Sequence, residues 1–216
     1  MLDSPRRSFL KSSALAFPAL ALQKGLAKKS SPNERIRAGM IGAGGRAARL
    51  NRIFAGHPEV EIAAIADVDL RRLRPVAGLV EKMQGKKPKA MQDFRPIIDD
   101  PSIDVLCVGT PDHWHALLGI WACQSGKDAY IEKPVSHNVW EGFKLVEAAR
   151  KYKRIVASGT QRRSDRAMPE IVEFLRSGEL GKILVAHSVG NWKRPSIGYM
   201  NGPQTIPKSV DYNLWC

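Results

Sequence analysis

The sequence predicts an α/β fold with a doubly wound parallel sheet. Three observations predict it. Short apolar runs alternate with helical stretches from residue 36 to residue 158. The first run, Ile36 to Ile41, opens directly into the glycine-rich turn Gly42-Ala43-Gly44-Gly45-Arg46-Ala47. The second, Val60 to Ala66, ends on an acid, Asp67.

Composition allows such a core. Of 216 residues, 44% are hydrophobic and 25% charged, which excludes a disordered or collagen-like chain. The longest apolar run, Ala14 to Leu22, is too short to span a bilayer, which takes about 20 residues. Three cysteines without CxxC spacing exclude a disulfide scaffold and argue against a structural zinc site, so no metal is expected. The net charge of +13 points toward nucleic acid until its placement is considered. Residues 1–29 hold six Lys or Arg and one Asp, which leaves +8 on the remainder. That remainder has no aromatic-interleaved basic stripe, and nucleic-acid binding is not expected.

The N-terminal stretch reads as an address. Arg6-Arg7-Ser8-Phe9-Leu10-Lys11, followed by small and apolar residues to Leu22, resembles a twin-arginine (Tat) export signal. Residues 1–29 are therefore expected to be signal peptide and linker, with cleavage after Ala21 or Ala27. The protein is expected to be exported to the periplasm through the Tat translocase, with no stable membrane span.

The nucleotide-binding reading begins at the first strand. After Gly42–Ala47, a helix is expected with Ala47, Leu50, Ile53 and Phe54 on one face, stopped by Gly56 as a left-handed cap and by Pro58. Each part of the turn has a physical job. Gly42 permits the tight turn, and Gly44 lets the backbone approach a pyrophosphate with no Cβ in the way. Ala47 sits where helix and strand pack closely. Gly45 and Arg46 open the helix, whose N-terminal N–H groups and dipole favour phosphate. Asp67, 25 residues after Gly42, can accept from the adenosine ribose hydroxyls. Together these form a Rossmann βαβ unit for NAD. Arg71 and Arg72 follow closely and leave NADP open, because either would pair with a 2′-phosphate.

The alternation continues. A strand is expected over Ile103 to Gly109, then the turn Thr110-Pro111-Asp112, then a helix burying Leu117, Leu118 and Trp121 and ending at Gly126. Ala129 to Ile131 is the next strand, followed by Glu132-Lys133-Pro134. Asn138 and Glu141 read as a capping box for a helix through about Lys151. Arg154 to Ser158 is the fifth strand placed, of six expected across residues 36–158. Thr110, Pro111, Lys133 and Gly159 to Gln161 all fall at carboxyl ends of strands, where ligands of doubly wound sheets bind. Cys107, between Leu106 and Val108, reads as buried core. Trp140, Trp192 and Trp215 offer sugar-stacking faces but read more simply as core packing.

Several of these motifs together resemble the Gfo/Idh/MocA oxidoreductases, the glucose-fructose oxidoreductase and inositol dehydrogenase family. They are Gly42–Ala47, Asp67, Gly109-Thr110-Pro111-Asp112-His113-Trp114-His115, Glu132-Lys133-Pro134, Gly159-Thr160-Gln161-Arg162-Arg163 and Gly178-Glu179-Leu180-Gly181-Lys182. The resemblance implies that Lys133 is the catalytic lysine, exchanging a proton with a substrate hydroxyl once desolvation and a nearby cation ease its loss. Glu132 would orient Lys133 or contact the cofactor ribose. Pro134 permits a cis bond. Thr110 and Pro111 would shape the nicotinamide end, and His115 would face the cofactor and share in catalysis. Gln161 would contact the cofactor, and Arg162 and Arg163 would either contact a substrate hydroxyl or phosphate or be solvated. A sugar, polyol or glycoside is the implied substrate, and the full-length form is expected to be a homo-oligomer.

The resemblance also implies domains. Residues 30–158 are expected to be the NAD(P)-binding Rossmann domain. Residues 159–216 would begin an α+β substrate domain with a mostly antiparallel sheet, through a helix over Asp165 to Arg176 and a strand near Ile183 to Val189. They are too few to complete that sheet. The chain is thus expected to stop inside its second domain, as an inactive or purely nucleotide-binding piece of a longer enzyme. An exported enzyme of this kind would keep its cofactor bound and recycle it, in sugar oxidation and reduction or in an NAD-dependent glycosidase cycle.

Overall fold

The computed structural model describes residues 35–190, 195–196 and 198–216. The twin-arginine segment and Trp192 lie outside the described residues.

Six strands form one parallel sheet: β1 (Ile36–Ile41), β2 (Val60–Ala66), β3 (Lys89–Met91), β4 (Val105–Val108), β5 (Asp128–Glu132) and β6 (Val156–Gly159), in the order β3-β2-β1-β4-β5-β6. Every pairing is parallel. The connecting helices are α1 (Gly45–Ala55), α2 (Leu70–Gln84), α3 (Arg95–Asp99), α4 (His115–Gln124) and α5 (Val139–Tyr152), with α6 (Ala167–Ser177) and α7 (Tyr212–Trp215) beyond the sheet. β1 is central because the order reverses there, so β1 and β4 diverge toward helices on opposite faces.

The period of two along β1 sorts the core into two layers. Ala38 and Met40 pack with Leu50 of α1 and Leu73 and Val80 of α2. Ile41, on the other face, joins Ile97 of α3, Leu118 of α4 and Leu145 of α5. The apolar runs are continuous because both faces are covered. Cys107 lies within the first layer, and burial pushes its thiol up to about 12, which suits inert core.

The expected α/β sheet is present, with local corrections. Lys89–Met91 is a strand whose short, mixed sequence shows no alternation. On α1 the inward face is Ala47, Leu50, Asn51 and Ala55, while Ile53 is exposed. Asn51 is inside because its Nδ2 donates to Gly42 O (3.1 Å) and Ala47 O (2.9 Å), which ties the helix to the glycine turn. Gly56 ends α1 in the right-handed region, at φ −83°. On α4, Leu118 is buried and Leu117 exposed. The Asn138 cap forms: Oδ1 accepts from Glu141 N at 2.9 Å, and Glu141 Oε2 accepts from His137 N at 3.1 Å. Residues 183–189 are exposed and unpaired among the described residues, so the expected strand is absent there. Trp140 and Trp215 are not core; they are 67% and 44% exposed. Trp140 lies on the outer face of α5, where Lys144 Nζ sits 5.6 Å from its ring centre. No helix among the described residues is long and apolar enough to cross a membrane.

Candidate nucleotide site

The site forms where the sheet order reverses. At the carboxyl ends of β1, β2 and β4 lies a cleft of about 590 Å³, walled by Gly42, Gly44, Gly45, Asp67, Thr110 and Pro111 among others. These residues are distant in sequence and meet because parallel strands point the same way.

The glycine turn has the conformations its sequence calls for. Gly42 has φ +108°, and a Cβ there would stand 2.8 Å from Gly109 O. Gly45 opens α1 at φ +45°. Ala47 is buried beneath the turn, and a Cβ on Gly109 would fall 2.8 Å from the Ala47 Cβ. The close helix–strand approach inferred for Ala47 therefore has a named partner, Gly109. The first intrahelical bond is Ala48 N to Gly44 O (3.3 Å), so the N–H groups before it have no helical acceptor.

Asp67 does more than line the cleft. Its Oδ2 accepts from Ala43 N at 2.7 Å and its Oδ1 from Asp69 N at 2.8 Å. The acid expected to meet a ribose thus also holds the turn in shape, and each oxygen keeps a second lone pair for a hydroxyl. The two arginines after it part ways. Arg71 grips Asp69 (Nη2 to Oδ2, 2.9 Å), and that hydrogen bond holds the Asp69 carboxyl down to about 2. Arg72 lines the cleft and lies over Gly44, with its Cδ 2.8 Å from where a Gly44 Cβ would stand.

The motifs after β4 and β5 are joined below the surface. His115 is buried, off the cleft wall, rather than facing it. Its Nε2 meets Thr110 O at 2.8 Å and its Nδ1 meets Pro134 O. Both ring nitrogens thus lie against backbone carbonyl oxygens from two different loops. His115 therefore bolts the Thr-Pro turn to the Lys133–Pro134 loop, where the peptide bond is cis. Glu132 is also buried: Oε1 accepts from Arg46 Nε at 2.8 Å, and Oε2 from the Lys133 backbone N at 3.3 Å. The burial of Tyr130 itself pushes its phenol up, and the Glu132 charge adds to that. Arg46 is at the cleft wall, so this pair links the glycine turn to the end of β5. Lys133 and Gln161 are exposed and outside the cleft wall, and neither side chain has a hydrogen bond or ion pair among the described residues.

Several wall residues carry no sequence signal for a place at the cleft. Val210, Leu214 and Trp215 come from a segment that reads as loop. Asn51, the buried clamp on the turn, was equally silent, because an Asn at a helical position is ordinarily exposed.

This geometry accords with the comparisons. Residues 36–160 match the GFO_IDH_MocA model, described as an oxidoreductase family with an NAD-binding Rossmann fold. The chain belongs to this family. It is 31% identical over 159 residues to inositol 2-dehydrogenase 3 of Saccharopolyspora erythraea, covering 71% of this chain and 44% of that protein. It is 27% identical over 157 residues to a glycosyl hydrolase family 109 protein of Shewanella pealeana, covering 70% of this chain and 34% of that one. Among solved structures, levoglucosan dehydrogenase in complex with NADH aligns with a TM-score of 0.59 at 25% identity, over 69% of this chain and 41% of that one. The chain spans about half the length of the curated relatives it matches. The residues present fit the family's dinucleotide: a cradle without Cβ atoms at Gly42, Gly44 and Gly45, unpaired helix N–H groups, and an acid at the end of β2.

Proposed function

We propose that the protein is an NAD(P)-dependent oxidoreductase acting on a hydroxyl of a sugar, polyol or glycoside. The observation that carries this is the cleft at the switch point, lined by the glycine turn, Asp67 and Thr110-Pro111. The likeness to an inositol dehydrogenase and a levoglucosan dehydrogenase supports the substrate class. When bound, the dinucleotide supplies the hydride acceptor. The chain's residues do the rest. Gly42, Gly44 and the first-turn N–H groups of α1 hold the pyrophosphate, and Asp67 takes the adenosine ribose. Lys133 exchanges a proton with the substrate hydroxyl, while His115 and the Arg46–Glu132 pair position the loops that carry Thr110 and Lys133. Asp67 favours NAD, and Arg72 is the cation placed to receive a 2′-phosphate.

The twin-arginine sequence supports export to the periplasm with the cofactor already bound and recycled in place. The likeness to a family 109 glycosyl hydrolase favours a second reading, in which transient oxidation of the sugar assists loss of its glycosidic substituent. Lys133→Ala in the full-length protein tests the assignment against a panel of polyols, anhydro-sugars and aryl glycosides. Turnover should fall by about 10²–10⁴ with NADH affinity unchanged. An unchanged rate removes Lys133 from the chemistry. A wild-type protein that binds neither NADH nor NADPH overturns the whole reading.

A further inference from the structure

Beyond α6, residues 207–216 lie against the sheet. Ser209 O accepts from Leu70 N (3.0 Å) and from Gln92 Nε2 (3.2 Å), and Asp211 N donates to Val68 O (2.9 Å). Val210 forms an antiparallel bridge with Asp69 between them. Asp211 then caps α7, its Oδ1 accepting from Leu214 N at 3.2 Å. At the far end Trp215 O accepts from His113 Nε2 (2.9 Å) and Trp114 Nε1 (3.2 Å), and the Trp215 ring stacks on Tyr212 at 6.1 Å. One anchor is on the loops after β2 and β3, and the other is on the loop after β4. Between them Val210, Leu214 and Trp215 form part of the cleft wall.

We propose that this strap is the adenosine wall of the nucleotide site. The proposal rests on the dinucleotide reading above. In a doubly wound sheet the half bearing the acid after β2 holds the adenosine, and the strap is fastened to that half at Val68 and Leu70. Its three apolar side chains supply what the glycine turn and Asp67 lack, a surface for the flat face of a purine. The strap is held mainly through its backbone, while Val210, Leu214 and the Trp215 ring, which also packs on Tyr212 and His113, line the cleft. Dinucleotide affinity would then depend on a segment more than 100 residues downstream of the glycine turn.

Trp215→Ala, Trp215→Phe and Leu214→Ala in the full chain, titrated calorimetrically with AMP, NADH and nicotinamide mononucleotide, test this. The two alanine variants should weaken AMP and NADH about three- to tenfold and leave the mononucleotide unchanged, while Trp215→Phe stays near wild type. Leu214 has no side-chain hydrogen bond to lose, so its variant separates wall contact from loss of fold. Unchanged AMP affinity in both alanine variants overturns the proposal. So does tighter binding, which would make the strap a plug. If wild type binds neither AMP nor NADH, the cofactor reading itself fails. If wild type binds and the variants match it, only the strap's role falls.

Discussion

Arg46→Ala gives the sharpest test of how the two halves of the site are joined. The pair Arg46 Nε–Glu132 Oε1 is 2.8 Å long, with Glu132 almost wholly buried and the Arg46 side chain 28% exposed. Removing one partner of a fully buried pair costs about 3–5 kcal/mol, because the other charge is left unpaired. Water reaches Arg46 in part, so the loss here should be about 2–3 kcal/mol. For a chain of this size that corresponds to a fall in Tm of roughly 5–10 °C. Glu132→Gln keeps an oxygen for Arg46 and removes the charge, and should cost about 1 kcal/mol. Urea unfolding followed by tryptophan fluorescence measures all three variants, including the double. Arg46→Ala should cost at least about 1 kcal/mol less in the Glu132→Gln background than in wild type. An Arg46→Ala variant within about 0.5 kcal/mol of wild type, or an equal cost in both backgrounds, refutes the reasoning.

Two further predictions concern Gly109 and the carboxylates of Asp69 and Asp100. Gly109→Ala places a methyl 2.8 Å from the Ala47 Cβ and 3.2 Å from its Cα, backed by helix on one side and strand on the other. It should cost about 1–3 kcal/mol and weaken NADH binding, and a Tm within a degree of wild type would refute the contact. Asp69 and Asp100 are each held down to about 2, Asp69 by hydrogen bonds from Arg71 and Asp100 by those from Ser102. Both folded values lie below the ordinary carboxylate value of about 3.9. The stability they contribute is therefore fully present above about pH 4 and is lost as pH falls toward 2. Urea midpoints from pH 5 to pH 2.5 should drop less steeply in Asp69→Asn. Parallel curves would show that Asp69 takes no part.

Much of the framework was legible locally. Ile36–Ile41 and Val60–Ala66 were readable end to end, because strands covered on both faces are continuous apolar runs with hard stops. The capping pair Asn138 and Glu141 was readable for a similar reason: its partners are three residues apart. Lys89–Met91 was not, since three residues carry no period and the strand exists only because β2 is beside it. Ile183 to Val189 has a strand's composition and no strand beside it among the described residues. The glycine turn, Asp67 and Thr110-Pro111 were named from motif and do meet at the cleft.

His115 and Glu132 were also named from motif, yet they go inward. Their directions depend on Pro134 O, Thr110 O and Arg46, which no local spacing reveals. Trp140 and Trp215 were read by residue type as core, and helix orientation leaves both outside. By itself, then, the sequence determined the strand-and-helix alternation, the phosphate turn and the family, because backbone conformation and periodicity are set within a few residues. Only the tertiary structure decided that Asp67 and Asn51 brace the turn, that Arg46 reaches Glu132, and that residues 207–216 come back to wall the cleft. Those pairings join positions far apart in the chain, and burial and hydrogen bonding select them only once the sheet has brought its strand ends together.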